Sequence, residues 1–158
     1  MLLNLYLKLK YNHIKGSSEK STALAKQIIE EENLEDAYDV GKFVDDKMTY
    51  AMDNFFGIID VMQDLDYTVK RGYKGDCDDF SMLAYRLLEQ LDYEPQLMTI
   101  VPLNITVSHV ICTFEMNGLI YFISTNGTTA IGGFEDIQQI FDYLDYKRVL
   151  AYNVRQVV

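Results

Sequence analysis

The segment SHVICTFEMNGLIYFIS, residues 108–124, constrains this chain more than any other. Two apolar runs rich in β-branched and aromatic residues flank Asn117-Gly118. A type I′ turn needs positive φ at both central positions, which Asn and Gly tolerate best, so the pair predicts a two-residue hairpin. That turn sets a register. Met116 pairs with Leu119, Phe114 with Tyr121, Cys112 with Ile123 and His109 with Asn126.

More strands are expected at PQLMTIVPL and in the closing KRVLAYNVRQVV. Between them, NGTTAIGGF reads as a loop and FEDIQQIFDYLD as a short helix with Ile137, Ile140, Phe141 and Leu144 on one side. Upstream, the periodicity is mostly helical. Alternating Leu3, Leu5, Leu7 and Leu9 suggest an initial strand, and Ser17, Ser18 and Ser21 are candidate caps for a helix over TALAKQIIEEEN. A second helix is expected from Glu35 to about Phe56, with Gly41 weakening its first turns. The stretch GIIDVMQDLDYTVKRGYKG reads as a connection. A third helix, from Cys77 to about Leu91, has a broad apolar face that includes Met82, Leu83, Leu87 and Leu88. Helices followed by antiparallel strands give the α+β class. Residues 1–34 are read as an extension packed on a domain spanning 35–158.

The 158 residues suffice for one core, with 49% hydrophobic and 24% charged residues. A net charge of −10 repels phosphate backbones, so nucleic acid is not an expected partner. The 20 Tyr and Phe residues read as packing rather than as a base-stacking platform. No apolar run reaches the ~18 residues of a membrane span, and the start, interrupted by Asn4, Lys8 and Lys10, does not read as a signal peptide. Two cysteines are too few for a disulfide scaffold, which fits a reducing, cytoplasmic setting. No cofactor is expected. Cys77, Cys112, His109 and His13 lack metal-ligand spacing, and GDCDDF lacks the positions of a calcium loop.

The stretch KGDCDDFS, residues 74–81, surrounds one thiol with three carboxylates. Asp76 suits an N-cap and Asp79 the N3 position, which makes Cys77 the first helical residue. The helix dipole favours a thiolate there, by ~0.3–1 kcal/mol at an exposed end, while the three aspartates oppose it. Cys77 is then either a packed sulfur beside an acidic cap or a nucleophile that needs a cation nearby. His13 reads as a surface residue. His109 stands at a strand start, and Asn126 opposite it has a side-chain oxygen able to fix the imidazole tautomer. A four-residue loop would instead bring Ser124 opposite, and an odd-length loop Thr125. Cys112 points to the other face and reads as core.

A cysteine heading a central helix, a histidine starting a strand and an orienting residue on the next strand resemble the transglutaminase-like superfamily, within the papain-like cysteine-peptidase fold. The matching pieces are GDCDDFSMLAYRLLEQLDYEP, SHVICTF and GLIYFISTNG, with KMTYAMD on a preceding helix, over about Glu35 to Asn126. Within it the chain resembles the bacterial and viral members described as transglutaminase-like cysteine peptidases. The resemblance implies a Cys-bearing helix packed on an antiparallel sheet. It also implies Cys77 as nucleophile, His109 as general base and acid, and Asn126 as the orienter, with Ser124 the alternative. The family usually places Asp at that third position; Asn stabilises imidazolium less, and the aspartates around Cys77 are expected to offset this.

The chemistry implied is acyl transfer on a peptide or glutamine amide through a thioester, resolved by water or an amine. The Cys77 backbone N–H, with Tyr50 by family position, would hold the oxyanion. The partner is then a peptide or protein substrate. The alternative is a catalytically eroded domain that serves as a protein-binding or structural module.

Overall fold

Side-chain oxygens start the helices that position the site. The structure, a computed structural model, describes residues 14–52, 61–103, 108–125 and 129–157. The strand expected over Leu3–Leu9, and His13, lie outside these residues. After β1 (Ile14–Lys15), Ser17 caps α1 (Ser18–Glu32) by accepting the Lys20 N–H, and Asn33 ends it at φ 53°. Asp36 caps α2 (Ala37–Lys47), accepting from the N–H groups of Tyr38 at 2.8 Å and Asp39 at 3.0 Å.

The second helix is shorter than its periodicity suggests. Met48 turns extended, and Thr49–Tyr50 form β2 beside β4 (Lys74–Gly75). The Thr49 and Ala51 N–H groups bond the carbonyls of Tyr73 and Gly75, each at 2.8 Å, so tertiary pairing overrides helical spacing. KMTYAMD is therefore mostly not helical. The supposed connection also holds structure: β3 (Met62–Gln63), parallel to β1, and α3 (Leu65–Lys70), capped by Asp64. A six-residue helix is too short to show an apolar period.

The central helix α4 (Cys77–Gln90) begins and ends where the sequence places it. It packs on one face of a sheet of β5 (Gln96–Pro102), β6 (His109–Met116), β7 (Leu119–Ile123), β8 (Ile131–Phe134) and β9 (Val149–Arg155). The order is β8-β7-β6-β5-β9, antiparallel throughout. The hairpin has the expected register, Met116 opposite Leu119, Phe114 opposite Tyr121 and Cys112 opposite Ile123, with Asn117 and Gly118 at φ 53° and 76°. NGTTAIGGF is not all loop, since β8 lies within it. Glycine content hid that strand, yet Gly132 is what lets the Tyr121 ring lie against the β8 backbone.

Leu97, Val110, Cys112, Phe114 and Ile123 join Ala25 and Ile28 of α1 and Leu83 and Leu87 of α4 in the main core. Met98, Ile100, Ile111 and Phe122 form a second cluster with Ile140 and Phe141 of α5 (Ile137–Tyr143) on the opposite face. Gly41, costly as a helix residue, is explained by packing: a Cβ there would strike the Thr129–Ala130 backbone. Gly41→Ala should cost about 1–3 kcal/mol, measured by urea unfolding, because a backbone cannot step aside as a side chain can. No helix among the described residues is long and apolar enough to cross a membrane.

Candidate active site

Cys77 is the first residue of α4 and is half-buried. The aspartates around it divide their work. Asp79 is buried; its Oδ1 accepts the Gln63 backbone N–H at 2.7 Å, and its Oδ2 accepts Gln63 Nε2 at 2.6 Å and the Asp76 N–H at 3.2 Å. It closes a capping box and clips β3 to the head of the helix. Its charge is thus spread over three donors. Asp76 heads the helix, and its negative charge acts on His109. Of the three aspartates expected to favour a charged His109, Asp76 is the one whose field is felt there, while Asp79 is turned to Gln63.

Ser81, one turn into α4, ties the thiol's helix to the histidine's strand. Its hydroxyl shares its one proton between the Cys77 carbonyl, 2.8 Å from Oγ, and the Val110 carbonyl, 3.0 Å away. One hydroxyl therefore locks together the backbone of Cys77 and that of the residue following His109. No sequence periodicity signals this contact, because a serine in a helix first suggests back-bonding to its own turn.

His109, the first residue of β6, is 8% exposed. Its Nε2 lies 2.8 Å from Ser124 Oγ, which is itself buried. Ser124, the alternative third residue, therefore meets the ring, even though the turn has the two-residue geometry that favoured Asn126. The reason is the ladder's end: pairing stops at Cys112 and Ile123, and Ser124 reaches the ring across the diagonal. Thr125 is half-buried beyond it, and Asn126 lies outside the described residues. Cys112 is wholly buried in the main core, where desolvation pushes its thiol far up. Tyr50 is neither helical nor core: it is 59% exposed on β2, opposite Gly75, two residues before Cys77.

Burial pushes the His109 pKa from 6.5 down to about 4, against a smaller upward pull from Asp76. The ring is neutral at pH 7. Because the unfolded chain takes up a proton that the folded chain refuses, His109 should make stability fall as pH drops from about 6.5 to 4. The loss is on the order of 3 kcal/mol. Urea titrations of wild type and His109→Gln across that range isolate it; parallel curves would show an undersolvated ring to be wrong.

Tyr146, just past α5, is a residue that sequence reading missed. Burial first, and the negative charge of a Cys77 thiolate second, raise its phenol pKa. It lies 69 positions from Cys77 in the chain, a separation that only the fold closes. Asp76, Cys77 and Asp78 place a carboxylate oxygen or sulfur each within 4.8 Å of one another, a cluster that His and Cys spacing overlooks. A groove of about 420 Å³, lined by Asp92, Glu94, Thr113, Glu115 and Ile120 among others, opens at the far end of the strands, away from this chemistry.

Comparison with known proteins gives a consistent likeness. The profile of a transglutaminase-like domain matches residues 8–143. Legionella pneumophila LapG, EGTA-treated, superposes at TM-score 0.56 and 14% identity, covering 85% of this chain and 78% of its own. Its calcium-bound form gives 0.54 and 15%, covering 75% and 70%. A putative cysteine protease from Cytophaga hutchinsonii gives 0.54 and 16%, covering 84% of this chain; the match spans 42% of that larger one. No curated protein matches.

Proposed function

The chain belongs to the transglutaminase-like domain family, and from that premise we propose that it is a thiol acyl transferase acting on peptide or glutamine amides. The observation that carries the reading is the Ser81 bridge, which joins the backbones beside Cys77 and His109. Ser124 engages Nε2, so Nδ1 is the nitrogen left for the thiol. In the productive tautomer Nε2–H donates to Ser124 Oγ, and Nδ1 takes the Cys77 proton. The thiolate attacks the amide carbonyl, and the developing oxyanion meets the Cys77 N–H at the start of the helix. Tyr50, held beside Gly75, is the candidate second donor. His109 returns its proton to the departing amine, leaving a thioester. Water or an amine, deprotonated by His109, then releases the acyl group. Water gives a peptidase or deamidase, an amine a transamidase.

His109, neutral in the resting site, does not supply the cation that a thiolate among aspartates needs. The LapG fold has been solved calcium-bound. Here Asp76 Oδ1 is buried without a hydrogen-bond partner among the described residues, and Asp78 lies beside it. This oxygen pair fits a hard divalent cation. Calcium bound by Asp76 and Asp78 would offset the negative charge beside the sulfur.

The test pairs two measurements. Iodoacetamide should label Cys77 at neutral pH much faster than a free thiol, faster with calcium than with EGTA, and His109→Ala should remove the excess. Mass spectrometry after incubation with a peptide library and a primary amine separates cleavage, deamidation and amine incorporation. Labelling no faster than a free thiol, with no mass change, would leave a binding module instead. Ser124→Ala should slow labelling about threefold to tenfold, the worth of one hydrogen bond of ~0.5–1.5 kcal/mol. Ser124→Asp should move the His109 midpoint upward, read by NMR of the ring protons.

A further inference from the structure

On the side of the sheet that carries His109, a pocket of about 450 Å³ opens between α5 and the start of β9. Phe141, Tyr146, Lys147, Val149, Leu150 and Tyr152 line it. Register relates it to the site. Ile100 pairs with His109 on one side and with Tyr152 on the other, so all three share one face. At about 4.8 Å between strands, the pocket wall begins roughly 10 Å from the His109 backbone. Phe141 and Tyr152 meet edge to face at 5.5 Å and form its aromatic floor. The Tyr146 N–H is fixed to the Phe141 carbonyl at 2.9 Å, which holds this tyrosine at the pocket's edge.

We propose that this pocket is a substrate subsite that seats an aromatic or large aliphatic side chain of an extended peptide, with Lys147 selecting an acidic neighbour. The proposal rests on the acyl-transfer reading above and names its substrate class. Leu150 and Tyr152 are each 49% exposed, which leaves apolar surface for an incoming side chain to cover. The chain carries −10 overall, and exposed Lys147, which lines the pocket, offers an ammonium group that can pair with one carboxylate. An extended peptide advances about 3.3 Å per residue, so the seated side chain lies about three residues from the scissile carbonyl.

The experiment uses full-length Cys77→Ala and short acetylated, amidated peptides carrying Phe or Ala at one position, with Glu or Lys beside it. Affinity is read from NMR shifts of the Leu150 methyls. Phe–Glu peptides should bind about tenfold more tightly than Ala–Lys peptides, the effect of covering one aromatic ring. Lys147→Glu should reverse the Glu-over-Lys ranking. Equal affinities, or shifts confined to the groove at Asp92 and Glu94, would overturn the proposal. Turnover by the wild type with a ranking that Lys147→Glu leaves unchanged would remove the subsite and keep the chemistry. Selective binding, with no turnover and free-thiol labelling of Cys77, would instead remove the acyl-transfer reading and keep a peptide-binding pocket.

Discussion

Cys77→Ala is expected to abolish product formation, by on the order of a thousandfold or more, while the domain stays folded. The separation of the two effects follows from what holds the head of α4. Asp76, Asp79 and Ser81 fix its first turn through the Gln63 amide, the Asp76 N–H and two carbonyls. None of these bonds uses the sulfur. The side chain is only half-buried, so truncation opens no closed cavity and should cost about 1 kcal/mol or less. Mass spectrometry against the peptide library reads the activity, and urea unfolding reads the fold. Residual turnover near wild type would remove Cys77 as the nucleophile. Stability lost along with activity would make it a packing residue.

The second large effect lies in the scaffold. Arg86 of α4 donates Nε to Asp64 Oδ1 at 2.9 Å and a terminal nitrogen to Asp64 Oδ2 at 2.8 Å. The two side chains are 3% and 2% exposed. Burial alone would raise the Asp64 carboxyl, but the hydrogen bonds and charge of Arg86 hold it below its ordinary value. Asp64→Ala takes the bidentate partner from a buried guanidinium, which keeps Glu89 at 3.3 Å and Ser18 at 3.1 Å, and removes the cap of α3; it should cost about 3–5 kcal/mol, a large share of the ~5–15 kcal/mol that holds a domain together. The double variant Asp64→Leu with Arg86→Met should recover only part of it, since no buried charge is then left without its partner but the Leu65 N–H still lacks its cap. Urea midpoints for the single and double variants decide the matter. A single variant as stable as wild type would mean that water reaches the pair. Because the folded carboxyl is depressed, its contribution is complete above the unfolded carboxylate pKa and disappears as pH falls through the folded one.

What the sequence disclosed depended on how local the determining interaction was. The hairpin register and the α4 boundaries were legible, because Asn117-Gly118 and the Asp76–Asp79 box act within a few residues. The end of α2 was not. Thr49 and Ala51 bond to Tyr73 and Gly75, more than 20 positions away, and helical spacing carries no trace of that. α3 and β8 were missed for opposite reasons: one is too short to be periodic, the other is half glycine. At the site, Cys77 and His109 were nameable from residue type and order. Ser81 and Tyr146 were not, because nothing in residue type or spacing marks either until the sheet brings β6 alongside α4 and the chain past α5 returns to it.

The strand β8 closes one margin of the sheet with only four residues, Ile131–Phe134. A long, flat outer strand would offer its unpaired amides as a template on which further copies could stack into fibrils. Here Gly133 at φ 89° and the irregular pairing near Tyr121 twist that rim after a few bonds. A chain with so many aromatic residues and so apolar a hairpin thus has little straight edge there from which self-association could spread.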